Sequence, residues 1–326
     1  MSKFKKFLIT IGIIAVFLFF LSIRDIPEEI TYGVSFSKFH TDELKLDWKE
    51  TYLALLNDLG VRNFRFSAHW PNTEPQEGKY NFTELDFQMA EAQKHGAEAI
   101  LAVGRRLPGW PECHDPEWVK DLPTEKRQEK LLKIIEVIVN RYKNNPALKY
   151  WQVENEPFLS FFSRSFCMQL DKEFLEKEIA LVKKLDPSHP VILTSSGEFD
   201  PWFKTYKRAD VFGSSLYLYV WWRNGPMRYP ITPGFFRIKQ NLVELIYGKK
   251  PKILIELSTE PWLLQSIITT PIEVQMERMG IDKFREMIKF ASKTGFDKQY
   301  FWGAEWWYWL KKQGLPEHWD EAKKLF

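Results

Sequence analysis

Two glutamates, Glu156 and Glu256, stand 100 positions apart, each at the end of an apolar run. The first lies in KYWQVENEPF (Lys149–Phe158), the second in ILIELSTEPW (Ile253–Trp262). A carboxylate pressed against a core is costly unless it is paired or used. Two that face each other can divide one reaction. One, kept protonated, gives its proton to a leaving oxygen, while the other, ionised, attacks carbon or activates water. That is the chemistry of acetal cleavage, and it requires the two ends to meet.

The chain supplies elements that could bring them together. Apolar stretches predict strands at Thr31–Phe36, Asn63–Phe66, Ala99–Val103, Tyr150–Val153, Val191–Thr194, Val211–Leu216, Lys252–Ile255 and Gln299–Phe301. Helical patterns fall between them at Asp47–Leu59, Leu85–His95, Lys126–Tyr142, Asp171–Leu185, Phe235–Tyr247 and Met276–Thr294, with a last one at Pro316–Phe326. LLKIIEVIVNRY spaces its apolar residues at i, i+3, i+4 and i+7, as an amphipathic helix does. Between strands five and six, DPWFKTYKRAD allows only a short helix. Eight such units predict a (β/α)8 TIM barrel, an α/β fold. The rival, an open doubly wound sheet, would want a glycine-rich turn after the first strand. YGVSFSKFH has one glycine, inside the strand. In a barrel Glu156 ends strand four and Glu256 strand seven, facing each other across the mouth. Pro226, Pro230 and Pro233 mark a long sixth loop on the rim.

Other side chains converge on that face, each with a bland alternative. Asn155 could bind a sugar hydroxyl or merely stabilise a turn. Arg65, on strand two, could pair with Glu256 or serve as a structural ion pair. Tyr217, with Tyr219 as rival, could donate to Glu256 or pack. Trp302 could lie under a sugar ring or fill the core. His69 and Trp70 could line the same subsite, although a buried histidine on a backbone carbonyl is an equal expectation for the first. Glu260 could bind substrate hydroxyls. Glu154, two residues before Glu156, should share its face in a regular strand and pair with an arginine, Arg65 being one candidate. Glu198 is either a sugar contact or an exposed acid.

Composition limits the alternatives. Among 326 residues, 46 basic and 43 acidic ones leave a net charge of +3, too balanced for a nucleic-acid binder. Fourteen Trp, 26 Phe and 12 Tyr suit either core filling or a sugar-binding cleft. No H-x-H or H-E-x-x-H occurs, so neither a metal nor another cofactor is expected. Two cysteines, Cys113 and Cys167, exclude a zinc knuckle. They are expected as free buried thiols, though an oxidising compartment would permit pairing.

The N-terminus, MSKFKKFLITIGIIAVFLFFLSIRD, places Lys3, Lys5 and Lys6 before an uncharged run from Phe7 to Ile23. Residues 1–24 are expected to form an uncleaved signal anchor, with a cleaved signal peptide as the alternative. Residues 25–30 would be a linker and 31–326 a single barrel domain outside the cytoplasm, secreted if the segment is removed.

With these residues in place, the chain resembles the clan-A glycoside hydrolases, retaining barrel enzymes that include β-glucosidases, β-galactosidases and cellulases. The likeness runs from Tyr32 to Trp309. NEP (Asn155–Pro157) is similar to the clan's strand-four motif, which implies that Glu156 is the acid/base. PKILIE (Pro251–Glu256) is similar to its strand-seven motif, which implies that Glu256 is the nucleophile. RFSAHWPNTEPQEGKYNF resembles the clan's second strand, whose arginine keeps the nucleophile ionised. ELSTEPW departs from the usual Glu-Phe-Gly or Glu-Thr-Gly. The resemblance implies a hydrolase acting on the O-glycosidic bonds of an oligo- or polysaccharide. A carbohydrate-binding barrel without turnover is the alternative. Neither the sugar nor the oligomeric state can be read from these residues.

Overall fold

Period-two alternation builds the central sheet. In β2 (Asn63–Ser67), Phe64 and Phe66 enter the apolar layer beneath the helices, while Arg65 between them reaches across the interior. The computed structural model describes residues 3–23, 26–109, 112–159, 167, 171–222 and 225–326. The other barrel strands are β1 (Thr31–Ser35), β3 (Glu98–Val103), β4 (Leu148–Val153), β5 (Val191–Ser195), β6 (Val211–Leu216), β9 (Lys252–Ser258) and β10 (Lys298–Trp302). All eight pair in parallel and close into a barrel in the order β1-β10-β9-β6-β5-β4-β3-β2. The predicted TIM barrel is therefore the observed fold.

Two apolar layers hold it. A small cluster of Ile100, Ile192, Val211, Ile253, Ile255 and Tyr300 fills the barrel's axis. A much larger one lies between strands and helices, and there Trp151, Trp202, Trp306, Trp307 and Trp319 are fully buried. Much of the tryptophan excess is thus core filling.

The helices in chain order are α1 (Lys3–Ser22), α2 (Lys38–Glu43), α3 (Trp48–Ala54), α4 (Trp70–Thr73), α5 (Thr83–Lys94), α6 (Thr124–Tyr142), α7 (Lys172–Leu185), α8 (Phe203–Arg208), α9 (Pro233–Tyr247), α10 (Ile272–Met279), α11 (Ile281–Ala291), α12 (Ala304–Lys312) and α13 (Glu317–Ala322). Helix α6 buries Leu131, Ile134, Ile135, Ile138, Val139 and Tyr142, the stripe its periodicity predicts. Each such aliphatic side chain contributes about 1.5–3 kcal/mol when fully buried. The short helix expected before strand six is α8.

Three expectations are corrected, and one element is added. The single helix expected over Met276–Thr294 is two, α10 and α11, divided at Gly280, where a Cβ would meet Met276 O at 2.7 Å. The final helix is shorter than expected, ending at Ala322. The long sixth loop contains an antiparallel hairpin, β7 (Tyr219–Trp222) with β8 (Gly225–Arg228). Cys113 and Cys167 are not free thiols but form a disulfide joining the loop after β3 to the segment after β4.

Helix α1 spans 20 residues, about 30 Å at 1.5 Å per residue, and is long and apolar enough to cross a membrane. Met1, Ser2 and Arg24 of the expected anchor segment, and Asp25 of the expected linker, lie outside the described residues.

Candidate active site

Strand β9 carries one residue more than its neighbours just before Glu256. Against β6, Ser214 pairs with Leu254 but Ser215 with Glu256; against β10, Gln299 pairs with Leu254 but Phe301 with Leu257. This bulge re-aims the strand end, as bulges beside active sites do. Ile255 stays in the axial cluster, Leu257 enters the outer layer, and Glu256 is delivered at the mouth.

Two donors grip Glu256. Arg65 Nη1 donates to Oε2 at 2.7 Å, and Tyr217 Oη donates to Oε1. A charge-assisted bond from a permanent cation is shorter and stronger than a neutral one. Arg65 is 1% exposed and is held in turn. Its Nε donates to Gln152 Oε1 at 2.9 Å and its Nη2 to Asn155 Oδ1 at 2.8 Å. Burial, then the Glu256 charge, raise Tyr217 well above the usual phenol value, so it remains a proton donor. Tyr219, the rival candidate, instead donates to Glu286.

Glu156 has a different environment. Its Oε1 accepts from Ser215 Oγ at 2.7 Å, and its backbone N–H donates to Thr194 Oγ1 at 2.7 Å. Burial, then the charges of Glu256 and Glu112, push its carboxyl up to about 8, against the lowering effect of Ser215 and Arg106. One carboxyl is therefore protonated at neutral pH beside one paired with a cation. Such a difference in environment is what a division of acid and base work between two carboxyls requires.

The chain leaves β4 through two non-glycine residues with positive φ, Glu154 at 57° and Glu156 at 45°. Such strain clusters at functional sites. It also overturns the expectation that the two glutamates share a face. Glu154 turns away, fully buried, and accepts the backbone N–H groups of Arg105 at 2.8 Å and Arg106 at 2.6 Å. Its partner is not Arg65 but the carboxyl of Glu178 on α7. Burial, then the Glu154 charge, raise Glu178 well above the ordinary carboxyl range, so the pair holds a proton.

Arg106 braces the same loop. Its Nη1 donates to the carbonyls of Glu156 at 2.9 Å and Leu159 at 2.5 Å, and its Nε donates to Glu112 Oε2 at 2.5 Å. Glu112 adjoins the disulfide at Cys113, so the covalent bridge and the arginine secure one corner of the mouth.

Across the mouth, Trp302 is half-buried, and its Nε1 donates to Glu260 Oε1 at 2.6 Å. The other Glu260 oxygen meets His40 Nε2 at 2.6 Å. Burial opposes charge on His40, but Glu260 and Glu43 outweigh it, raising the imidazole well above its usual value. Gly303 makes room for Glu260: a Cβ there would lie 2.6 Å from Glu260 Cβ. Glu198 accepts Tyr217 N–H at 2.9 Å, and burial lifts it to about 7.

Of the predicted site residues, Arg65, Asn155, Glu156, Tyr217 and Glu256 form one bonded network, and Trp302 and Glu260 a second. Two stand apart. Trp70 is a correction: it is 1% exposed, with Nε1 donating to Glu74, because it opens α4 facing the core. His69 takes the bland alternative. Its Nε2 bonds Pro108 O at 3.1 Å, and burial, then His114, hold it well below the usual histidine value. Ser215, His40 and Arg106 were missed. His40 follows strand one closely enough to have been considered, whereas nothing local marks Ser215.

Comparison with known proteins gives related results. A family model described as beta-galactosidase matches residues 40–128, a stretch that ends before Asn155. The chain is 26% identical over 184 residues to beta-galactosidase LacZ of Heyndrickxia coagulans, covering 49% of this chain and 27% of that one. It is 29% identical over 132 residues to probable mannan endo-1,4-beta-mannosidase F of Aspergillus flavus, covering 37% and 26%. The chain thus spans about a quarter of the length of these curated relatives. Among solved structures it is similar to GH5_18 from Bifidobacterium longum subsp. longum, with TM-score 0.59 and 14% identity, covering 84% of this chain and 70% of that one.

Proposed function

We propose that this chain, which resembles the clan-A glycoside hydrolases, is a retaining glycoside hydrolase. Glu256 is the nucleophile and Glu156 the acid/base. The carrying observation is the division of environments between the two carboxyls: Arg65 and Tyr217 on Glu256, burial and a nearby carboxylate on Glu156.

The steps follow. A Glu256 oxygen attacks the anomeric carbon as the glycosidic C–O bond breaks. The Glu156 proton passes to the departing oxygen. Esterification removes the charge on Glu256, so the burden holding the Glu156 proton falls. Glu156 then takes a proton from water, whose oxygen attacks the anomeric carbon and releases Glu256 with net retention. Asn155 directs its Oδ1 to Arg65 and Thr194, which leaves Nδ2 to donate to a sugar 2-hydroxyl. Trp302 offers a ring face to the sugar, and Glu260 accepts from its hydroxyls. The relatives' names make β-galactosides and β-mannosides the first substrates to screen.

Helix α1 is a membrane anchor in this reading, and the barrel lies outside the cytoplasm. The disulfide suits such a compartment.

The test is turnover of aryl glycosides, followed by trapping with a 2-fluoro glycoside and mass spectrometry of the adduct. Label on Glu256 supports the assignment. Binding without turnover would make the chain a lectin-like barrel, and label on Glu260 would reassign the nucleophile.

A further inference from the structure

We propose that the base of the barrel docks on the headgroup layer of an anionic lipid bilayer, so that the cleft points away from the membrane. This rests on reading α1 as an anchor. Parallel strands run from the base to the mouth, so the loops entering each strand lie opposite Glu156 and Glu256.

Exposed apolar side chains gather at that base. Helix α9 ends on Leu245, Ile246 and Tyr247, which are 70%, 56% and 37% exposed. Ile26, before β1, is 48% exposed. Beyond Ile23, the large hydrophobics exposed among the described residues are these four, Tyr80 and Leu264. Single exposed apolar residues are ordinary, but three in succession at the end of a helix are not.

Basic side chains occupy the same basal turns. Lys184, Lys207, Lys249 and Lys293 are exposed in the basal turns and have no ion-pair partner among the described residues. Lys184 and Lys207 close α7 and α8, where they also complement the helix dipoles. Lys249 and Lys293 lie beyond their helices, so that account does not cover them. Glu28, Glu29, Asp210 and Asp297 are the exposed acids in these turns, Asp210 being paired with Lys183. Apolar tips with ion-pair-free lysines in the same turns match the boundary between acyl chains and anionic headgroups.

The anchor is joined to this same surface. Asn241 Nδ2 donates to Leu21 O, and Arg237 Nε to Ser22 O, each at 2.7 Å. Moving back along α1 therefore leads toward the apolar end of α9. A cavity of about 460 Å³ opens beside the junction, lined by Ile23, Pro27, Lys249 and Asp297 among others.

The experiment uses the full chain in nanodiscs of phosphatidylcholine with or without phosphatidylglycerol. An environment-sensitive dye is attached to Leu245→Cys at the base, or to Leu264→Cys on the mouth side. Quenching by a headgroup nitroxide is then read. In discs with phosphatidylglycerol, the basal dye should be quenched at least ~3-fold more than the mouth dye. Lys249→Glu/Lys293→Glu or pure phosphatidylcholine should reduce that difference. Equal quenching, greater quenching at Leu264→Cys, or indifference to lipid charge overturns the proposal. A carbonate wash separates the two readings. A chain that stays in the membrane with an unquenched basal dye refutes docking alone, whereas a chain that washes off refutes the anchor and docking with it.

Discussion

Ser215 donates its hydroxyl to Glu156 at 2.7 Å from a position directly opposite Glu256 in the β6–β9 register. One serine thus links the two carboxyls: its backbone is set by the strand bearing one, and its side chain is bonded to the other. The bond favours the ionised form of Glu156 and opposes the effect of burial. Ser215→Ala should therefore move the alkaline limb of the pH–rate profile upward, with turnover reduced roughly 10-fold because the acid is less well oriented. A limb that stays in place would deny the serine this role.

In the proposed mechanism Glu156, as the acid, sets that limb. With Glu156 at about 8, kcat/KM should fall as the pH rises through that value, reported as an apparent constant of the coupled pair. Glu156→Gln should abolish the limb and most of the activity. Stability has a definite sign. The folded chain keeps a proton on Glu156 that the unfolded chain releases near 4.5, so this group's contribution declines between pH 4.5 and about 8. Thermal midpoints across that window should fall more steeply for the parent than for Glu156→Gln.

Arg65 and Tyr217 grip the same carboxylate at different cost. Arg65 is buried, and removing it strips Glu256 of its cation, leaves Gln152 Oε1 without its donor and leaves Asn155 Oδ1 to Thr194. Arg65→Met should cost about 3–5 kcal/mol of stability as well as activity. Tyr217→Phe keeps the ring and loses one donor, so kcat should drop about 10²-fold with the fold intact. Denaturant unfolding alongside kinetics distinguishes them; equal stability losses would contradict the network described.

The disulfide closes a separation of 54 residues, for which the chain-entropy relation gives about 4 kcal/mol. Cys113→Ser/Cys167→Ser should lower the thermal midpoint by several degrees. It should also loosen the corner where Arg106 holds the Glu156 carbonyl, lowering kcat more than it changes KM. Unchanged kinetics with lowered stability would confine the bridge to a structural role.

The sequence by itself determined the barrel and the carboxyls at its mouth. Strand and helix periods are written in neighbouring residues: Phe64 and Phe66 flank Arg65, and α6 repeats its apolar stripe. Strands four and seven then face each other because ring closure leaves no other arrangement. Only the tertiary structure decided the rest. The bulge at Ile255, the left-handed turn at Glu154, the Ser215 bond and the disulfide depend on partners dozens of residues away. Trp70 and Trp302 look alike as tryptophans at strand ends, yet one opens a helix onto the core and the other meets Glu260 at the mouth. Local pattern decides which way a chain alternates; which distant side chain meets it is decided only when the ring has closed.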